Sequence, residues 1–129
     1  MEGYSVLKGI GAHKFHLEYE TWSEARQICI DEGGDLAVLR SRLEANIVNR
    51  MMRDAGMGVA WSGFHNQLGK GNWTSVFDEP LENAWGRWMF QFEVSSDDHP
   101  LCMILYANRD TQMISASCSM PAPFLCKIT

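Results

Sequence analysis

No part of this 129-residue chain approaches the ~20 consecutive apolar residues that a membrane-crossing helix needs. Bases are scarce: 11 Lys and Arg face 16 Asp and Glu, for a net charge of −5. That balance excludes nucleic acid as a partner, because a phosphate backbone demands a basic footprint. The opening Met1-Glu-Gly-Tyr-Ser has neither the basic start nor the apolar run of a signal peptide. Internal repeats, low-complexity tracts and the Gly-x-Ser-x-Gly elbow of serine hydrolases are missing too. The four histidines are His13, His16, His65 and His99. On a strand, His13 and His16 would point to opposite faces. Asp97-Asp-His99 has no companion at zinc-ligand spacing. No catalytic site is expected.

Cysteine is sparse but patterned. Cys29 stands alone upstream, while Cys102, Cys118 and Cys126 share the last quarter of the chain. Four cysteines so placed read as a disulfide framework. The alternative is four buried free thiols acting as small apolar residues. Bridged cysteines would put the protein outside the reducing cytosol, secreted and extracellular. The export signal would then have been removed, Met1 would be an expression start, and the sequence could be a fragment of a longer secreted chain. The length suits a single domain over residues 1–129. It is enough to bury a real core, so the bridges would assist folding rather than replace a core.

Helix signals fill the first half. Lys14-Phe-His-Leu-Glu-Tyr19 alternates in the manner of a half-buried strand. Thr21 with Glu24 forms a capping box, Trp22, Ala25, Ile28 and Cys29 follow at helical spacing, and Gly33-Gly34 stops the helix. Asp35 to Leu39 reads as a short strand or extended link. Ser41 with Glu44 opens a second helix, with Leu43, Ile47, Val48, Met51 and Met52 as its inner face and Gly56 at its end. Strands are predicted at 59–64, 72–76, 101–106, 112–116 and 124–128. Asn108-Arg-Asp110 forms a hairpin turn between the third and fourth of them. Residues 77–101 show no periodicity, which in a compact domain marks a functional loop. The sum is an α+β architecture.

Several of these residues resemble the C-type lectin-like domain, over nearly the whole chain. Trp61-Ser-Gly-Phe64 stands where that family usually has Trp-Ile-Gly-Leu, and Gly71-Asn-Trp73 matches its Gly-x-Trp strand. The cysteine spacing is the specific part. Details are most similar to hemolymph lectins of insects, which often carry two such domains in tandem and recognise microbial surfaces. Sequence alone leaves three pairings of four cysteines open. The resemblance implies Cys29–Cys126 and Cys102–Cys118.

The resemblance also says where calcium ligands would stand. Calcium takes 6–8 oxygen ligands. The family's Trp-Asn-Asp positions fall here on Met113, Ile114 and Ser115, its Glu-Pro-Asn positions on Phe92, Glu93 and Val94, and its additional acid on Pro100. Most of these offer no side-chain oxygen. Glu79-Pro80-Leu81 imitates the motif but lies too early, before Trp85 and Trp88. The primary calcium site is therefore expected to be lost, with no cofactor.

Six acids between Asp78 and Asp98 face only Arg87, a set that could chelate a cation or simply be solvated. Phe77, Trp85, Trp88, Phe90 and Phe92 crowd the same loop, and aromatics stack on sugars and anchor interfaces. Trp85 and Trp88 could equally fill a small core beneath the loop. The expected ligand set is Trp88, Phe90, Phe92, Glu93, Asp97, Asp98 and Arg109, the last suited to a phosphate or carboxylate. The expected partner is a microbial surface polysaccharide or lipopolysaccharide. The alternative is a protein–protein or dimerisation domain that binds no sugar. Asn72-Trp-Thr74 matches a glycosylation acceptor.

Overall fold

Thr21 opens the first helix as the capping box predicts. Its hydroxyl accepts from Glu24 N at 3.3 Å, and the Glu24 carboxylate accepts from Thr21 N at 3.0 Å. This helix, α1, spans Trp22–Asp31, and the second, α2, spans Arg42–Asp54. Gly33 and Gly56 end them in the left-handed region, at φ 99° and 71°. The backbone closes each end in a Schellman pattern: Gly34 N donates to Cys29 O at 3.0 Å, and Met57 N to Met52 O at 2.8 Å.

The computed structural model describes residues 3–67, 73–81, 92–93, 101–108 and 111–129, with backbone only at 92, 93 and 111. Its strands are β1 (Ser5–Leu7), β2 (Gly11–Glu20), β3 (Asp35–Leu36), β4 (Val59–His65), β5 (Thr74–Ser75), β6 (Phe92–Glu93), β7 (Leu101–Ala107), β8 (Thr111–Ser117) and β9 (Ala122–Ile128). Among the described residues they form one sheet in the order β1-β2-β9-β4-β7-β8-β6. β3 adds to β9, and β5 to β4. The β4–β9 and β6–β8 pairs are parallel; the rest are antiparallel. The chain's early strand β2 thus lies beside its last, β9.

The core lies where this sheet meets the helices. Trp22, Trp61, Phe64, Leu105, Phe124 and Leu125 are buried in it. The two indoles also find polar partners: Trp22 Nε1 donates to Ser62 O at 2.8 Å and Trp61 Nε1 to Glu20 O at 3.1 Å. Gly63, the glycine of the Trp-Ser-Gly-Phe element, donates its N–H to Ala37 O at 2.8 Å. A Cβ there would sit 2.7 Å from Leu36 O, so the close passage of residues 36–38 requires glycine.

Both disulfides pair as the resemblance implied. Cys29–Cys126 joins α1 to β9 across 97 residues, and Cys102–Cys118 joins the start of β7 to the residue after β8. The Ala107–Thr111 pairing brackets the expected turn at 108–110.

Four expectations need correction. Leu43 is 63% exposed; α2 instead turns Glu44, Ala45, Val48, Asn49 and Met52 inward, where Glu44 meets the buried His13 and Lys127. The Glu44 carboxylate consequently accepts from Arg40 N, at 2.8 Å, in place of a Ser41 box partner. On β2 the alternation does not set burial. His16 is buried while Leu17 and Tyr19 are exposed, since the register with β9 is broken between His16 and Glu20, where pairing resumes with Ala122. Finally, the segment read as patternless contains β6, a pairing supplied by β8 rather than by local sequence.

Candidate functional site

The end of the sheet that carries the long loop is built on β7 and β8. These strands pair without interruption from Leu101–Ser117 to Ala107–Thr111. Asn66, just after β4, fixes the loop's return: its Oδ1 accepts from Leu101 N at 2.8 Å and its own N–H donates to Leu101 O at 3.0 Å. Gln67 Nε2 lies 3.6 Å from Cys102 Sγ, against the bridge that closes the loop's base.

Two of the three β8 positions that the resemblance assigned to cation ligands, Met113 and Ile114, serve packing. Met113 is buried, with its Sδ 3.7 Å from Ser62 Oγ, and Ile114 packs against the core. Ser62 Oγ itself donates to Met103 O at 2.9 Å. Glu79, in the early Glu-Pro-Leu imitation, is committed elsewhere. Both its oxygens face the Arg40 guanidinium at 2.8 Å, and Ser75 Oγ donates to Oε1 at 3.0 Å. The Arg40 hydrogen bond is the main reason its carboxyl is held below the ordinary range, a pull that the burial opposes. Arg40 also lies 5.7 Å from the ring of Phe77, which is 49% exposed at the loop's start.

Of the expected ligand residues, Trp88, Phe90, Asp97, Asp98 and Arg109 lie outside the described residues, as do Trp85 and Asn72. Phe92 and Glu93 form β6, in register with Met113 and Ile114.

Two charged clusters escaped the sequence reading, both at the other end of the sheet. His13, Glu44 and Lys127 are all buried. Glu44 Oε2 is 2.8 Å from His13 Nε2 and 2.7 Å from Lys127 Nζ, which also donates to Val38 O at 3.2 Å. Burial alone would raise the Glu44 carboxyl, but His13, Lys127 and Arg40 N–H outweigh it and hold it low. The second cluster lies on the opposite face of β2, as the spacing of the histidines predicted. His16 stacks on Phe124 at 4.6 Å, with Glu18 Oε1 3.0 Å from Nδ1 and Glu32 Oε1 3.0 Å from Nε2. Tyr4 donates to the same Glu32 oxygen at 2.7 Å. Against the upward push of burial, Tyr4, His16 and Lys14 hold the Glu32 carboxyl low. Glu44 had a capping role that hid its long-range one, and Lys127 sat inside an apolar run.

Two helices beside a mostly antiparallel sheet and two bridges at these places define a C-type lectin fold. The Lectin C-type domain family matches residues 18–128, so the chain belongs to that family. Hemolymph lipopolysaccharide-binding protein of Periplaneta americana is similar: 27% identical over 135 residues, covering 98% of this chain and 52% of that protein. The chain therefore spans about half the length of that relative. Among solved structures, human lithostathine superimposes with a TM-score of 0.80 at 18% identity, covering all of this chain and 90% of that one. A calcium-independent type II antifreeze protein gives 0.77 at 18% identity, covering all of this chain and 93% of its own. A Ca2+-dependent one in its Ca2+-free form gives 0.81 at 16%, covering all of this chain and 99% of its own.

Proposed function

We propose that this domain is a secreted recognition module, free of catalysis, that binds lipopolysaccharide or a related microbial surface glycan through its long-loop face without a primary calcium ion. The observation that carries the ligand class is the similarity, along almost the entire chain, to a protein named for binding lipopolysaccharide in hemolymph. Two disulfides support an extracellular site of action. Among the described residues, no helix is long and apolar enough to cross a membrane. The fold does not decide calcium dependence, since calcium-independent and Ca2+-dependent antifreeze proteins match it about equally. What favours independence is chemistry: Met113 and Ile114 offer no oxygen where the family places two of its ligands.

The test is binding of the protein to lipopolysaccharide-coated beads with calcium and with a chelator, beside a calorimetric calcium titration. Binding should survive chelation, and Phe90→Ala with Phe92→Ala should weaken it without lowering the melting temperature. Loss of binding on chelation would overturn the calcium-free reading; no binding under either condition would overturn the ligand class. The competing reading, a dimerisation or protein-binding domain, draws on Leu17 and Tyr19, 61% and 68% exposed on β2. A doubled mass on size exclusion, together with no glycan binding, would favour it.

A further inference from the structure

The Cys29–Cys126 bridge does not stand among apolar groups alone. A ring nitrogen of His16, a carboxylate oxygen of Glu32 and the sulfur of Cys126 all lie within 4.8 Å of one another. Cys29 and Glu32 are three residues apart at the end of α1, so they project from the same side of it. His16 comes from β2, and Cys126 from β9, directly beside it in the sheet. Three segments far apart in sequence therefore bring two sulfurs, an imidazole and a carboxylate to one place. While the bridge is closed, the sulfurs cannot ligate a metal.

We propose that the reduced chain binds one zinc ion here, through the thiolates of Cys29 and Cys126, His16 Nε2 and a Glu32 carboxylate oxygen. This goes beyond the recognition role and does not depend on it. Zinc prefers four tetrahedral ligands of this kind, with Zn–S of about 2.3 Å and Zn–N and Zn–O of about 2.0–2.2 Å, which sets ligand atoms roughly 3.3–3.8 Å apart. His16 Nε2 and Glu32 Oε1 are already 3.0 Å apart. The Cα separation of 5.3 Å between the cysteines leaves room for the sulfurs to move apart once their bond is cut.

The surroundings fit a metal-bound histidine. Its other nitrogen, Nδ1, faces Glu18 Oε1 at 3.0 Å. An N–H there, donating to the carboxylate, leaves the Nε2 lone pair for the ion and fixes the ring, the usual outer-shell arrangement of zinc histidines. The Phe124 stack holds the ring plane from the side. Two thiolates and one carboxylate against a divalent cation leave a single negative charge, and Lys14 Nζ, 3.8 Å from Glu32 Oε2, offsets it. Glu32 is partly open to solvent, which gives the ion a way in.

The chemistry balances in both directions. A phosphine reductant opens the bridge, taking the oxygen of one water as phosphine oxide while the two sulfurs take its protons; zinc then displaces those protons. In the forward sense, a small-molecule disulfide accepts two electrons from the zinc-bound thiolates. It leaves as two thiolates, the Cys29–Cys126 bond forms, and zinc is released. Zinc would thus close the same 97-residue span before oxidation that the disulfide closes after it. Of the three possible pairings, it would favour the native one.

The experiment is an anaerobic titration of the full chain, reduced with a phosphine, using Co2+ as a visible probe and Zn2+ as competitor. One Co2+ per chain is expected, with a thiolate-to-cobalt charge-transfer band that Zn2+ abolishes and that the oxidised protein never shows. His16→Ala and Glu32→Gln should each weaken the ion at least tenfold, and Glu18→Gln by roughly 10–100-fold. Replacing Cys29 and Cys126 by Ser should remove the band. A band persisting in that variant would assign the ion to Cys102 and Cys118 and overturn the site. So would an affinity unchanged by His16→Ala and Glu32→Gln, whether or not the reduced chain is folded before metal is added. Absence of any thiolate band would also overturn it.

Discussion

Glu44→Gln puts the buried ionic cluster to a direct test. The side chain is 1% exposed and makes three short contacts: 2.8 Å to His13 Nε2, 2.7 Å to Lys127 Nζ and 2.8 Å to Arg40 N. The substitution keeps the shape and an acceptor for Arg40 N–H, but leaves the Lys127 ammonium buried with no opposing charge. Breaking a buried pair in this way costs about 3–5 kcal/mol. At about 2.1 cal/mol/K per residue, 129 residues convert that to a fall in melting temperature of roughly 11–18 °C. Lys127→Met should also destabilise, by taking from the buried carboxylate its 2.7 Å ammonium partner. The double variant should lose at least 2 kcal/mol less than the sum, because an amide facing a thioether strands no charge. The acid limb provides a second reading. The Glu44 carboxyl lies below its ordinary 4.5 when folded, so its contribution is complete above 4.5 and disappears as pH falls through the lower folded value. The deficit of Glu44→Gln should therefore shrink in acid. Thermal melts by circular dichroism at pH 7 and pH 3 measure all of this. A fall under about 4 °C at pH 7, or strictly additive singles, refutes the reasoning.

Replacing Cys29 and Cys126 by Ser should cost about 4–5 kcal/mol in the chain-entropy treatment, against about 3 kcal/mol for Cys102 and Cys118, since the closed spans are 97 and 16 residues. Urea midpoints in the reverse order would contradict it. Gly63→Ala should destabilise by about 1–3 kcal/mol, because its new methyl meets Leu36 O at 2.7 Å and Val38 Cγ2 at 3.0 Å; an unchanged melt would show that the 36–38 segment yields freely.

Much of the frame was legible because it is written locally. Thr21 with Glu24, Gly33-Gly34 and Gly56 set both helices to within a residue or two, since caps and stops act over a single turn. The late strands at 101–107, 111–117 and 122–128 likewise declared themselves through short apolar runs between turns. What stayed hidden is non-local. β6 exists by pairing with β8, and β1 by pairing with β2; neither three residues nor two can carry a period. The inward turn of Glu44 depends on His13, 31 residues earlier, and on Lys127 from the last strand. No helical wheel reveals a carboxylate whose partners are so far away, so helical spacing points Leu43 inward while the structure exposes it.

The candidate site was less legible, for a reason in how the fold divides its labour. One end of the sheet holds the long bridge, the Glu44 cluster and the start of α2, so its stability is fixed by contacts away from the loop. The other end is β7, β8 and the short bridge, a platform whose ladder of backbone hydrogen bonds constrains the side chains it presents far less. Burying a methionine such as Met113 contributes about 1.5–3 kcal/mol. On the calcium-free reading proposed above, that packing stabilises the platform where a bound ion would otherwise do so. A domain so built can exchange a cation cage for an apolar floor without disturbing the far end. The frame therefore announces the family, while on the reading proposed above the ligand would be set at the loop face.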